Sequence, residues 1–229
     1  PARSRRRLSV QSLDEGTRQR IVVHGHLPAG ERGGPVWRRI SNPPMYTGAT
    51  FKRMLEDHGV RVKGRVRVGR TPDPLRPFHV DWSEPLAVLI HKVNKWSQNH
   101  MSEMLLKTLG AEVHGAPGTW AKGVAVVEEV LASEVGIPRG SFVMKNGSGL
   151  NDTNRVSARQ LVRVLAWAKE QLLVAPELLA SLPVAGVDGT VRNRMGGTAA
   201  QGRVRAKTGT LQNVTALSGY ATTAGGREL

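Results

Sequence analysis

The stretch "RVRAKTGTLQNVTALSGY", Arg203 to Tyr220, sets Lys207, Thr208 and Gly209 in a row where a β-prone run meets a turn. Backbone preference explains two of the three: threonine favours a strand, and glycine tolerates positive φ. On that reading the stretch is a strand ending in a turn, and the lysine has no explanation. Similar letters, "KTLG" at Lys107 to Gly110, read only as the end of a helix. The triplet therefore needs a second element before it carries chemistry.

Working outward, a chain of 229 residues accommodates one large domain, or one domain with a smaller partner. No apolar run approaches the roughly 18 residues that span a bilayer. The start, "PARSRRRLSV", has neither an initiating methionine nor an apolar signal core, and reads as a mature or clipped end. The absence of cysteine excludes disulfides and thiolate metal sites. Lys and Arg number 33 against 18 Asp and Glu, a net charge of +15. Such a field attracts polyanions, whether nucleic acid, anionic lipid or an acidic cell-wall polymer, without choosing among them.

Two regions are expected. In the first, up to about Trp82, Val60, Val62, Val66 and Val68 alternate with Arg61, Lys63, Arg65 and Arg67. Period-two alternation predicts a half-buried strand, valines inward, with a basic face that is either solvated or touches a polyanion. Phe51, Met54 and Leu55 have helical spacing, with Gly59 as the stop, and "RQRIVVHGHLPAG" reads as a strand entering a Pro-Gly turn. In the second region, from Ser83, Met101, Met104, Leu105 and Leu109 predict one helix face closed by Gly110. Trp120, Val124, Val127 and Leu131 predict another, stopped by Gly136 and Pro138. Ser157 and Gln160 form a capping box, Val156 and Leu161 a hydrophobic staple, and Leu161, Leu165 and Ala168 continue inward. Two glycine-rich turns, "GVDGT" and "MGGTAAQG", lead into the strand of the opening stretch.

The second element is "NKWSQNHMSEMLL", where Ser97 and Asn99 precede an amphipathic helix. Alone, these are ordinary helix-entry residues. Together, Ser-x-Asn followed 110 residues later by Lys-Thr-Gly gives two of three elements used by penicillin-binding proteins and class A β-lactamases. The third element is Ser-x-x-Lys. "MKNGSGLNDTNRVSARQLVRVL", "LPVAGVDGTVRNRM" and "AKTGTLQNVTALSGY" narrow the match. From about Leu86 to Tyr220 the chain resembles the D-alanyl-D-alanine carboxypeptidase/endopeptidases among low-molecular-mass penicillin-binding proteins, the peptidase S13 type. More loosely, its first region resembles the accessory domains that this family inserts between its first two motifs.

The resemblance implies an α+β, β-lactamase/transpeptidase-like fold. Residues 1–82 would be part of a β-rich accessory region, and residues 83–229 part of the penicillin-binding domain. Ser97 would relay a proton toward the leaving amine, and Asn99 would hold a substrate amide and the lysine of the missing motif. Lys207 would supply positive potential, and Thr208 would bind the substrate's terminal carboxylate. Gly209 would let the backbone approach the ligand, and the Thr210 N–H would form half of an oxyanion hole. The implied partners are peptidoglycan stem peptides ending in D-Ala-D-Ala and, for the full-length protein, β-lactams. The implied location is periplasmic or otherwise extracytoplasmic, with peripheral contact to cell wall or membrane left open. No cofactor, metal or nucleic acid is expected.

Three departures stand out. Asn146 replaces the family's usual Asp before "GSGL", and Asn151 replaces Ser after it. No serine in the chain is followed three residues later by lysine, so the acylated serine and its lysine base are absent. The expectation is a fragment of a larger enzyme, beginning within the inserted domains and stopping at "GREL" short of a further strand and closing helix, and inactive by itself. His24 and His26 share a strand face but lack a further ligand nearby, and "RSRRR" reads as a solvated tail. Two rivals are a β-lactamase of the same fold and a non-catalytic protein binding cell wall or nucleic acid through its charge.

Overall fold

The computed structural model describes residues 7–31, 33–223 and 225–226. Arg3 to Arg6 of the basic start, and residues 227–229 at the close, lie outside them. Contacts divide the chain into two units, Pro1–Val80 and Asp81–Leu229.

In the first unit, β1 (Arg7–Asp14) pairs antiparallel with β2 (Gln19–His26), from Arg7 opposite His26 to Asp14 opposite Gln19. The Glu15 N–H closes the turn onto the Arg18 carbonyl at 2.9 Å. The expected strand is β2; its partner β1 carries no clear alternation in the sequence. The helix α1 (Pro43–Asp57) begins where the Asn42 side chain accepts from the Met45 N–H at 3.2 Å, and it ends before Gly59 at φ 83°.

The valine-arginine run forms no strand, contrary to expectation. Residues 60–68 are irregular; Val62 and Val66 are half-buried, while Val60 and Val68 are 49% and 63% exposed. Arg61, Lys63, Arg65 and Arg67 are exposed. Alternation suits a pleated sheet, but a strand also needs a neighbour for its backbone groups. Here the neighbour is a helix. Val66 packs over Gly48 of α1, where an added Cβ would come within 2.6 Å of Val66 Cγ1, and Lys52 Nζ donates to the Gly64 carbonyl at 2.8 Å.

The second unit runs through α2 (Leu86–Trp96), α3 (Asn99–His114), α4 (Trp120–Ser133), α5 (Ala158–Glu170) and α6 (Ala175–Ser181). It closes with an antiparallel hairpin of β3 (Val204–Thr210) and β4 (Thr215–Ala221). The most deeply buried apolar side chains of the core are Ile137, Leu182, Ala185, Val191 and Ala206. The segment around Val184 lies against β3, with Ala185 N–H on the Val204 carbonyl and Ala206 N–H on the Pro183 carbonyl, both 2.9 Å. The capping box of α5 is present: Gln160 N–H reaches Ser157 Oγ at 3.2 Å, and Ser157 N–H reaches Gln160 Oε1 at 2.8 Å.

Two helix assignments need correction. Gly110 does not end α3, which continues to His114. A Cβ on Gly110 would lie 2.6 Å from the Gly123 nitrogen, and one on Gly123 would lie 2.1 Å from the Leu106 carbonyl oxygen. Both glycines exist to let α3 and α4 touch. The buried face of α3 is accordingly Leu106 and Gly110, with Met104 and Leu109 more than a third exposed; on α4 it is Gly123 and Val126, with Val124, Val127 and Leu131 half-buried and Trp120 exposed. Close backbone approach, not side-chain size, set the register of the buried face.

Candidate active site

The site begins at the corner between α2 and α3. Ser97 ends α2 in the left-handed region (φ 55°, ψ 53°), and Asn99 already starts α3. A non-glycine residue there costs on the order of 1 kcal/mol, so the sharp corner is held by its surroundings. It turns the Ser97 hydroxyl toward β3, where Lys207 Nζ donates to Ser97 Oγ at 2.7 Å. The two residues are 110 apart in sequence. Lys207 also donates to the Thr208 carbonyl at 2.6 Å. Its partial burial pushes its pKa down from the ordinary lysine value.

Ser97 and Lys207 open onto a cleft of about 600 Å³ that Asn99, Thr208, Gly209 and Thr210 also line. All six residues singled out in the sequence therefore share one cavity. Gly209 lies within β3, opposite Ala216, and not in the positive-φ region that a turn would require. A Cβ there would meet only the Ala216 Cβ, at 3.6 Å, so no protein neighbour demands glycine. The turn comes later, where the Leu211 N–H meets the Val214 carbonyl at 2.9 Å.

The facing wall is Gly147, Ser148, Gly149, Leu150 and Asp152. It hangs on Glu103 of α3, which accepts from the Gly147 N–H at 3.1 Å, the Ser148 N–H at 3.0 Å, Trp120 Nε1 at 2.8 Å, and the Ser148 hydroxyl. Burial pushes the Glu103 carboxyl up, but these four donors outweigh it and hold the carboxyl below its ordinary range. Within the loop, Asn146 donates to the Leu150 carbonyl at 2.8 Å and to Thr153 Oγ1 at 3.1 Å, and accepts from the Gly149 N–H at 2.7 Å. An aspartate could still accept from the Gly149 N–H and from the Thr153 hydroxyl but could not donate to the Leu150 carbonyl, so Asn146 gives this loop one additional internal tie.

A family profile described as D-Ala-D-Ala carboxypeptidase 3 (S13) matches residues 3–229. The chain belongs to the S13 peptidase family. It is 41% identical over 208 residues to a D-alanyl-D-alanine carboxypeptidase of Actinomadura sp. (strain R39), covering 87% of this chain and 38% of that protein. Against D-alanyl-D-alanine carboxypeptidase DacB of Haemophilus influenzae the identity is 29%, covering 83% of this chain and 40% of the relative. The chain thus spans about two fifths of the length of these curated relatives. Its fold matches crystallised penicillin binding protein 4 from Haemophilus influenzae, complexed with a β-lactam, with a TM-score of 0.78 and 27% identity over 97% of this chain and 50% of that one. The fold is the α+β penicillin-binding, transpeptidase-like one. These matches favour neither rival reading.

In this S13 chain several polar residues around the cleft gave no sequence signal. Lys95, only 6% exposed, donates to the Leu182 carbonyl at 2.8 Å and to Asp188 Oδ2 at 2.6 Å. Asp188 Oδ1 accepts from the Val184 N–H at 2.8 Å. Burial pushes the Asp188 carboxyl up; the hydrogen bond and charge of Lys95, the Val184 N–H and the Arg205 charge bring it below its ordinary range. No motif in the sequence includes Lys95, and Asp188 lies in the glycine-rich turn "GVDGT". Their pairing spans 93 positions and no local pattern announces it. His24 and His26 are both exposed, and among the described residues no three His, Asp or Glu side chains gather as a metal site. Nor is any helix among them long and apolar enough to cross a membrane.

Proposed function

We propose that this chain carries the second and third motifs of a serine-type D-Ala-D-Ala carboxypeptidase/endopeptidase acting on peptidoglycan stem peptides and acylated by β-lactams. The observation that carries the reading is the 2.7 Å hydrogen bond from Lys207 Nζ to Ser97 Oγ inside a cleft shared with Asn99, Thr208, Gly209 and Thr210. Because Lys207 donates to the Ser97 oxygen, the Ser97 hydrogen is left to point into the cleft. That suits a relay: the attacking serine, supplied by a Ser-x-x-Lys segment outside this chain, bonds to the penultimate D-Ala carbonyl carbon while its proton passes to the Ser-x-x-Lys lysine. The amide C–N bond then breaks, and the departing D-Ala nitrogen takes the proton through Ser97. Water hydrolyses the resulting ester and restores the serine.

The other roles are those that the family resemblance implies, and the shared cleft supports them. Asn99 holds the substrate amide and the lysine of the Ser-x-x-Lys segment, and Thr208 binds the terminal carboxylate within the positive field of Lys207. Gly209 leaves β3 bare for the peptide, and the Thr210 N–H contributes to the oxyanion hole. Residues 1–82 belong to the inserted accessory region, residues 83–229 to the penicillin-binding domain, and the site of action is extracytoplasmic, at the cell wall.

The test is labelling with a fluorescent penicillin, read by denaturing electrophoresis and intact mass. The 229-residue chain is expected to stay unlabelled, and the same chain extended through its upstream Ser-x-x-Lys segment to label stoichiometrically. In the extended protein Lys207→Ala should label far less. An adduct on any serine of the chain alone, or an extended protein that never labels, overturns the reading.

A further inference from the structure

Thr190 sits in the "GVDGT" turn and has no part in the roles above, yet its Oγ1 lies 2.8 Å from Thr208 Oγ1. Two hydroxyls at that distance share one hydrogen, one donating and the other accepting. When Thr190 donates, the Thr208 hydrogen is released toward the cleft, where an anion would take it. Without Thr190 the Thr208 hydroxyl would have no such partner to set which way its hydrogen points.

Thr190 is pinned on both sides. Before it, Asp188 is fixed by the Lys95 ammonium and the Val184 N–H. Gly189, at φ 56°, is pressed so closely on the end of α2 that a Cβ would lie 2.8 Å from the Lys95 carbonyl oxygen. After it, Val191 is fully buried. Lys95 therefore holds the turn through its side chain, its backbone lies close against Gly189, and it lies two residues before Ser97. A buried ammonium needs its partner, so the pair is not free to separate.

We infer that Thr190, held by the pairing of Asp188 with the buried Lys95 ammonium, is a positioning residue that aims the Thr208 hydroxyl at a carboxylate in the cleft, and so sets the preference for anionic over uncharged ligand ends. The inference rests on the proposed reading of the cleft. The structure joins the Ser97 corner and the Lys207 strand by two routes: the direct Lys207–Ser97 contact, and the path from Lys95 through the Asp188–Val191 turn to Thr208.

The experiment uses the protein carrying its Ser-x-x-Lys segment and compares acylation by benzylpenicillin with acylation by its methyl ester, which lacks the carboxylate. Rates are read by intact mass. A hydrogen bond to a charged group accounts for about tenfold or more in rate, and misdirecting the donor forfeits much of that. Thr190→Val is expected to slow the acid about tenfold while the ester changes less than about twofold. Thr190→Ser, which restores the hydroxyl, should return the acid to within about threefold of wild type. Asp188→Asn should cause a smaller loss, again selective for the acid. An equal fall with both compounds shows a merely structural role and overturns the inference, as does an unchanged acid rate in Thr190→Val. Failure of the wild-type protein to acylate overturns the reading of the cleft and this inference with it; normal acylation with an unselective Thr190→Val overturns the inference alone.

Discussion

Replacing Glu103 with alanine should loosen the wall of the cleft that faces β3. Glu103 accepts from two backbone N–H groups, a hydroxyl and an indole, and both oxygens are used. Each hydrogen bond to a carboxylate contributes about 1.5 kcal/mol or more, and each donor left without a partner costs further. Glu103 is only half-buried, so water reaches some of the freed donors and a net loss of about 2–4 kcal/mol is expected. For a chain of this size that corresponds to a fall in Tm of about 5–15 °C. Glu103→Gln should lose about half as much, because its amide oxygen can still serve Ser148 while its NH2 cannot accept from Gly147 or Trp120. Urea unfolding followed by circular dichroism measures both. The carboxyl lies below its unfolded value of 4.5 in the folded state, so its contribution is complete above that pH and lost as pH falls through the folded value. The difference between wild type and Glu103→Gln should therefore shrink on acidification. Glu103→Ala within about 0.5 kcal/mol of wild type at pH 7 would refute the argument that this carboxylate anchors the loop.

Gly123→Ala should destabilise by roughly 2 kcal/mol or more despite alanine's better helix propensity, because its Cβ would lie 2.1 Å from the Leu106 carbonyl oxygen; unfolding midpoints check it. Gly209→Ala, whose Cβ would have room, should leave stability within about 0.5 kcal/mol while penicillin labelling of the extended protein falls sharply. Burial lowers the Lys207 pKa from its unfolded 10.5, so the folded state binds fewer protons there between the two values. The Lys207 contribution to stability should rise with pH across that window, and Lys207→Met should abolish the rise in urea titrations on the alkaline side. Ser157→Ala removes the α5 cap and should cost about 1 kcal/mol, measured the same way.

Much of the candidate site was legible because its residue types answer to chemistry and not to packing. A strand needs no lysine before Thr208, and Ser97 and Asn99 stood in the right order ahead of it, so six cleft residues could be named from spacing and resemblance. The capping box of α5 was legible for a different reason: Ser157 and Gln160 satisfy each other within one turn, so no distant partner enters. Where a residue's part depends on what faces it, the sequence was silent or misleading. Gly110 reads as a stop and is a contact with Gly123. The valines from Val60 to Val68 alternate as a strand does, yet the neighbour is α1 and no ladder forms. Lys95 belongs to no sequence motif, and only folding places Asp188, 93 residues on, against its ammonium. Local hydrogen bonds and side-chain chemistry are properties of the sequence; close backbone approach, strand partnership and the pairing of a buried lysine with a carboxylate exist only once distant segments meet.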